Sequence, residues 1–422
     1  MPAPELIPDE HATAALRERL AKAEPLQSLL PAIQHAGESR CGVYLVGGAV
    51  RDLLLDAPSF DVDLAVEGDA LGFARDLAAE VAGDARPHER FGTAVVVAGD
   101  VSIDIATTRT ESYTEPGALP QVAAAGLADD LARRDLTINA IASSLKRDDL
   151  GATCDPFGGF ADLRAGHIRV LHDASFIDDP TRLLRAVRYE ARFAFSIEPH
   201  TLELAHAAIA SGRVGTMDSA RVRDELIDLL LEERVSRALE RTHELGLDRA
   251  LHPRLSADQL ARELIDRLAD DPLLARLAPL CTAMGRNELG AWMDRLKFSA
   301  DQRDAVVESA TEGVTLGARL SDGGDLALSE LAELLRGKTE ETLALAAAVS
   351  PPASERVSDY RQRVQPIRLE ISGDDLLAAG IPEGPAVGRA LRDVLAMKLD
   401  GTVVGREEEL AAALRAAGRN GA

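Results

Sequence analysis

The chain has 422 residues, 46% of them hydrophobic and 28% charged, which suits a globular protein of two to four domains with real cores. Its formal net charge of −23 argues against a body that grips nucleic acid through uniform basicity, so any RNA binding requires a local basic track. No stretch approaches a membrane span, the acidic start with Glu5, Asp9 and Glu10 is unlike a secretion signal, and Cys41, Cys154 and Cys281 are spaced like reduced, packed thiols with no zinc pattern; a cytoplasmic location is expected.

In chain order, residues 1–35 read as a helical N-terminal extension and residues 36–145 as a mixed α/β unit. Val43–Val46 is a short apolar strand, and Gly47-Gly48 after it lets the backbone approach phosphate oxygens with no Cβ in the way. A helix from about Ala49 would point free N–H groups and its positive dipole end at such an anion. Arg51 sits in its first turn, where a guanidinium reaches a phosphate or ribose oxygen with two donors; the plain alternative is a surface arginine paired with Asp52. In Phe60-Asp-Val-Asp-Leu-Ala-Val, the two-residue strand period puts Asp61 and Asp63 on one face while Val62 and Leu64 face the core. Crowded carboxylates repel unless a cation lies between them, and hard oxygen ligands completed by substrate phosphates suit Mg²⁺. An exposed strand edge would explain an isolated Asp-x-Asp equally well, but the Gly-Gly-x-x-Arg turn at this distance favours nucleotide and metal. Asp104 lies on another alternating strand, Ser-Ile-Asp-Ile-Ala. Thr107–Pro120, with Arg109, Glu111, Tyr113 and a Pro-Gly-x-x-Pro turn, reads as an ordered turn inside a mobile connection.

Everything after residue 145 reads helical. Asp179 before Pro180 is an N-cap followed by the favoured first-turn proline, so a helix should start there. Arg182, Arg185 and Arg188 recur every three residues on one face, with Leu183, Leu184 and Val187 on the other. On one reading Arg182 merely satisfies the cap and the arginines are a solvated stripe; on the other, Asp179 and Arg182 meet the base edge of a nucleotide while Arg185 and Arg188 meet phosphates. Arg221–Leu247 alternates apolar and charged residues at helical spacing. Residues 250–350 include Trp292 and carry no recognisable chemistry. Ser350–Glu355, with Pro351-Pro352, reads as a hinge before a tail whose Gly373-Asp-Asp-Leu and Gly380-Ile-Pro-Glu-Gly-Pro suggest helix, turn, helix. The nine histidines are scattered with no His-Asp metal pair, and His252 before Pro253 reads as a turn or core residue.

Four stretches, LVGGAVRDLLLDAPSFDVD from Leu45, ARRDLTINAIA from Ala132, DPFGGFADLRAGHIRVL from Asp155 and DDPTRLLRAVRYEARF from Asp178, resemble in order and spacing the motifs of the class II tRNA nucleotidyltransferase and poly(A) polymerase family, part of the DNA polymerase β-like superfamily. The likeness spans roughly residues 40 to 230 and departs at Leu136, where the family usually has Phe, and at Asp178, where it usually has Glu. It implies an α+β chain: a polymerase β-like nucleotidyltransferase head of mixed sheet and helices (36–145), then an all-α neck (146–215), body (216–350) and tRNA-gripping tail (351–422).

The resemblance further implies that Asp61 and Asp63 are catalytic metal ligands with Asp104 as a third carboxylate, and that Gly47, Gly48, Arg51, Arg134, Asp179, Arg182, Arg185 and Arg188 bind the nucleotide. Asp135 and Asn139 would orient their neighbours, Thr107–Pro120 would be the flexible loop beside the site, and Arg221 and Glu225 would brace the neck. For Arg133 and Arg134 the plain alternative is a basic helix start. The expected activity is Mg²⁺-dependent, template-independent addition of C and/or A from CTP and ATP to the tRNA 3′ end, with no membrane and no obligate protein partner. CCA, CC-only and A-only addition stay open, as does poly(A) synthesis; a non-catalytic RNA-binding protein is the rival from another class. The required basic track is present in Arg133, Arg134, Arg164, Arg169, Arg182, Arg185, Arg188 and Arg192.

Overall fold

Segments in which β-branched residues alternate with polar ones become strands, and the first half of the chain is built on them. The computed structural model describes residues 10–40, 42–56, 61–112, 121–216, 219–322, 324 and 326–419. These fall into two units that divide after Leu251, inside the stretch read as body.

The first unit carries strands β1 (Gly42–Val46), β2 (Val62–Glu67), β3 (Asp84–His88), β4 (Thr93–Ala98), β5 (Val101–Thr107), β6 (Arg109–Ser112), β7 (Gln121–Ala124), β8 (Ala142–Ser144) and β9 (Thr153–Cys154). Seven of them form one sheet in the order β3-β4-β5-β2-β1-β8-β9, while β6 and β7 pair as a separate ribbon. β2 and β5 run parallel; the other neighbours in the sheet are antiparallel. Val62 and Leu64 of β2 and Ile103 and Ile105 of β5 are buried, so strand alternation turns Asp63 and Asp104 to the opposite face, where the register pairs them directly.

Helices α1 (Glu10–Leu20) and α2 (Leu26–Gly37) do not form an extension apart from the head. Their apolar side chains Leu16, Leu20, Leu26, Leu29 and Ile33 share one core with Val43, Leu64 and Ile103, and with Phe73 and Leu77 from a helix after β2. A face of five large aliphatic residues cannot stay in water, and the sheet offers it the nearest cover. The reading of everything after residue 145 as helical also needs correction: β9 hydrogen-bonds to β8 and widens the sheet, and β10 (His167–Ile168) pairs in parallel with β11 (Ser196–Ile197). These strands are two residues long, too short to leave a periodic signal.

The remaining helices of this unit that concern the site are α3 (Gly48–Leu54), α4 (Ala70–Glu80), α5 (Leu127–Ala132), α6 (Gly159–Ala165), α7 (Ser175–Asp178), α8 (Arg182–Phe193), α9 (Pro199–Ala210) and α10 (Ser219–Leu230). Asp179 accepts the Thr181 N–H at 3.1 Å and its hydroxyl at 2.5 Å, which organises the turn that enters α8. In the second unit the described residues form helices and turns, with one core around Leu320, Leu335, Leu343 and Val357 and another around Leu376, Val394 and Ala413. The expected hinge at Pro351-Pro352 is instead a helix start: Ser350 accepts the Ala353 N–H at 3.2 Å, and the prolines fill first-turn positions where no N–H is needed. The tail shows the expected helices at Gly373–Ala378 and Pro385–Leu399 and a third at Gly405–Arg419. There the buried Glu409 takes Lys398 Nζ at 2.5 Å and the Glu370 N–H at 2.6 Å.

Among the described residues no helix is long and apolar enough to cross a membrane. Cys154 and Cys281 are free and buried, as expected of packed thiols; Cys41 and residues 113–120 of the loop, including Tyr113, lie outside the described residues. Because Leu20 is fully buried in the head core, Leu20→Ala should lower unfolding free energy by about 2–4 kcal/mol in urea denaturation, whereas a detached extension would lose a few tenths.

Candidate active site

The turn from β1 into α3 is shaped around an arginine. Gly47 sits at φ +67°, and a Cβ there would lie 2.5 Å from Arg134 Nη1, so only glycine fits both the backbone and its neighbour. Helix α3 is seven residues long, which leaves the dipole a modest contributor; arginine side chains are the dominant anion-seeking groups in the cleft.

Arg51 is buried, not the surface arginine of the plain alternative. It does pair with Asp52, through Nε at 2.8 Å and Nη2 at 2.9 Å, but Nη1 also donates to Asn139 Oδ1 at 2.5 Å. Its guanidinium carbon lies 4.9 Å from the Tyr189 ring centre and 4.8 Å from that of Phe193, so a side chain from α3 is held by aromatic faces of α8.

Facing this arginine are the carboxylates. Asp61 precedes β2, Asp63 lies within it, and Asp104 stands opposite Asp63 on β5. Burial pushes the Asp63 carboxyl up to about 6; the charges of Asp104 and Asp61 push the same way, against Arg134 and Arg51. Asp104 is also raised, by burial and by Asp61. Among the described residues no three His, Cys, Asp or Glu side chains converge into a closed metal cage. The donor set nevertheless fits a hard divalent cation: carboxylates whose repulsion raises Asp63 stand at the edge of a cleft, where phosphate and water oxygens complete an incomplete shell.

The arginines of the cleft are each backed by acid. Arg133 and Arg134 sit at the end of α5, not at a helix start, and both are held by Asp130, with Arg134 Nη2 at 3.0 Å and Arg133 Nη2 at 2.7 Å. Burial opposes charge on Asp130, but the two arginines outweigh it and keep its carboxyl below the ordinary range. Arg185 donates to Asp135 at 2.7 Å and to Glu225 at 3.0 Å. Burial works against ionisation of Asp135 too, yet Arg185, the Asn139 amide and the Leu136 N–H hold it well below the usual carboxylate value. Arg188 meets Glu225 and Asp228, each at 3.1 Å, and Arg192 lies on Glu232 at 2.9 Å. At the centre is Tyr189, with the guanidinium carbons of Arg51, Arg185, Arg188 and Arg192 between 4.9 and 5.6 Å from its ring centre.

These groups surround a cleft of 420 Å³ lined by Gly47, Gly48, Arg51, Asp61, Asp63 and Arg134 from the head, by Arg185, Arg188, Tyr189 and Arg192 from α8 of the neck, and by Asp228 from α10. Asp104, Asp179 and Arg182 do not line it. The last two are buried and engaged: Arg182 donates to Ser175 Oγ at 2.7 Å and to the Arg133 carbonyl at 2.9 Å, while Asp179 also takes a hydrogen bond from Arg221. Arg221 and Glu225 therefore do brace the neck, one through Asp179 and the other through Arg185 and Arg188. Tyr189 and Asp228 were not expected at the site, and Arg192 was counted only in the basic track. A signal existed: Arg185, Arg188 and Arg192 are spaced three and four apart, and so are Glu225, Asp228 and Glu232.

Residues 43–169 match the family model described as poly A polymerase head domain, and residues 194–259 match one described as a probable RNA and SrmB-binding site of polymerase A. The A-adding tRNA nucleotidyltransferase of Geobacter sulfurreducens is 34% identical over 89% of this chain and 45% of its own length. The CCA-adding enzyme of Bordetella pertussis is 34% identical over 78% of this chain and 89% of its own. A solved structure of the Thermotoga maritima CCA-adding enzyme complexed with tRNA superposes with a TM-score of 0.75 at 30% identity, over 95% of this chain and 98% of that one. The chain spans less than half the length of the first curated relatives it matches.

The raised Asp63 carboxyl has a consequence for stability. Without metal, the folded protein binds this proton more tightly than the unfolded chain between pH 3.8 and about 6, so the ionised group costs stability increasingly as pH rises through that window. Asp63→Asn should make the metal-free protein more stable by about 1–3 kcal/mol at neutral pH and change little below about pH 4, read by urea unfolding in a chelator. Equal stability at neutral pH would show that the carboxylate is not strained.

Proposed function

The chain belongs to the tRNA nucleotidyltransferase and poly(A) polymerase family, and on that premise we propose that it adds C and/or A from CTP and ATP to the 3′ end of tRNA without a nucleic-acid template. The observation that supports this most is a single cleft in which Arg51, Arg134, Arg185, Arg188 and Arg192 face Asp61 and Asp63. Such a cleft suits a triphosphate on one side and a reacting hydroxyl on the other.

In this reading Arg185, Arg188 and Arg192 hold the phosphates with donors oriented in advance, and the Gly47-Gly48 turn gives the backbone close approach. Asp61 and Asp63 would hold Mg²⁺, with Asp104 as the outer carboxylate; when bound, the ion activates the terminal ribose hydroxyl and stabilises charge on the leaving phosphates. The ribose 3′-hydroxyl attacks the α-phosphate in line, a new ester bond forms, and the bond to pyrophosphate breaks. Asp135 and Asn139 keep Arg185 and Arg51 aimed. Selection of the base by Asp179 and Arg182 rests on the sequence motif, and it requires these residues to exchange their present partners Ser175, Thr181 and Arg221 for base edges. The helical tail would take the elbow of the tRNA, and the reaction would run in the cytoplasm.

One observation favours the narrower A-adding activity: the Geobacter sulfurreducens relative, whose name is A-adding, matches along 89% of this chain. Incorporation of labelled CTP and ATP into a tRNA lacking CCA, lacking CA or lacking only the final A separates the cases. CCA completion on all three gives full activity, A addition confined to the last gives the narrower one, and unlimited A tails on any RNA give poly(A) synthesis. Asp61→Ala should abolish incorporation while tRNA binding stays within about twofold, and surviving turnover would remove the metal assignment.

A further inference from the structure

The arginine row of α8 and the acidic row of α10 do not balance. Arg185, Arg188 and Arg192 supply three positive charges, while Asp135, Glu225, Asp228 and Glu232, each paired with at least one of them, supply four negative ones; the excess is one carboxylate. Glu225 and Glu232 are shielded, with side chains 13% and 5% exposed, and each serves two arginines. Asp228 differs in every respect. Its side chain is 48% exposed, it lines the cleft, and its ion pair is with one atom, Arg188 Nη2, which Glu225 already engages from the other side. With Asp228 half exposed and Arg188 still held by Glu225 and Glu232, this pair adds little to stability. It nevertheless places a negative charge in a cavity that must admit a polyanion, beside an arginine that is itself buried and whose Nε has no partner.

We propose that Asp228 is an internal stand-in for a phosphate oxygen: it occupies Arg188 in the nucleotide-free protein, yields it to the incoming triphosphate, and takes it back as pyrophosphate leaves. It is a positioning residue, acting on the reaction through Arg188, and the proposal rests on the reading of the cleft as the triphosphate site. Its sign is opposite to that of a structural acid. Removing a residue that merely supports Arg188 weakens nucleotide binding, whereas removing a competitor strengthens it.

The test compares the full-length wild type with Asp228→Asn and Asp228→Glu, measuring KM for the nucleoside triphosphate, KM for tRNA, kcat, inhibition by inorganic pyrophosphate, and Tm. Asp228→Asn should lower the nucleotide KM about three- to tenfold and strengthen pyrophosphate inhibition by a similar factor, with kcat unchanged or reduced and Tm near wild type. Asp228→Glu, which keeps the charge, should show neither gain. A nucleotide KM that is unchanged or raised in Asp228→Asn overturns the proposal, and so does a fall in the tRNA KM alone, which would place an RNA phosphate at Arg188. Should Asp228→Asn fold poorly, Asp228→Ser carries the same expectation. Wild type that incorporates no nucleotide overturns the reading of the site and this inference together; wild type that incorporates normally while the variants show no gain overturns only the inference.

Discussion

Five guanidinium groups share one cleft, and their mutual repulsion has to be offset before anything else there can work. The offset comes from neighbouring carboxylates: Asp52 holds Arg51, Asp130 holds Arg134, Asp135 and Glu225 hold Arg185, and Glu225 and Glu232 hold Arg188 and Arg192. Tyr189 adds a face of negative π density among four of them. Held by carboxylates, these side chains have little rotamer freedom left to lose when an anion arrives. The arrangement also answers the difficulty raised by a net charge of −23: some of the acid that seems to oppose nucleic-acid chemistry is what holds the basic track in place.

Arg51 has a second consequence. It leaves α3, bonds Asn139 in the segment before β8, and ends against two aromatic rings of α8. The carboxylates on the sheet and the arginines on the helix are thus fixed relative to each other through one buried cation, to which a desolvated aromatic contact contributes on the order of 2 kcal/mol. A bond between the two halves of the cleft made by an ordinary surface pair would be worth far less.

Much of this was legible in the chain. The strand through Val43–Val46, the glycine turn, the outward turn of Asp63 between buried Val62 and Leu64, and the arginine spacing on α8 follow from periodicity and turn chemistry, and they appear where periodicity puts them; Asp61 lies just before the strand. What was not legible depends on tertiary partners. Nothing local says that Arg51 is buried, because its cover comes from residues 138 and 142 positions later, Tyr189 and Phe193. Nothing local reveals that α1 and α2 complete the head core, or that Asp179 and Arg182 turn inward to Thr181, Ser175 and Arg221. The prolines at 351 and 352 misled for a different reason: the same residues that break a helix interior are welcome at its first turn, and only the Ser350 cap distinguishes the two.

The parallel register of β2 and β5 sets Asp63 against Asp104 in the same alternation that buries Val62, Leu64, Ile103 and Ile105. A slip of one residue in either strand would therefore drive a carboxylate into the apolar core and expose a valine or isoleucine in its place. Correct folding and the placement of these two carboxylates are checked by one and the same hydrophobic sorting, so a chain misassembled at these strands is discarded for its instability before it can present a misplaced carboxylate at the cleft.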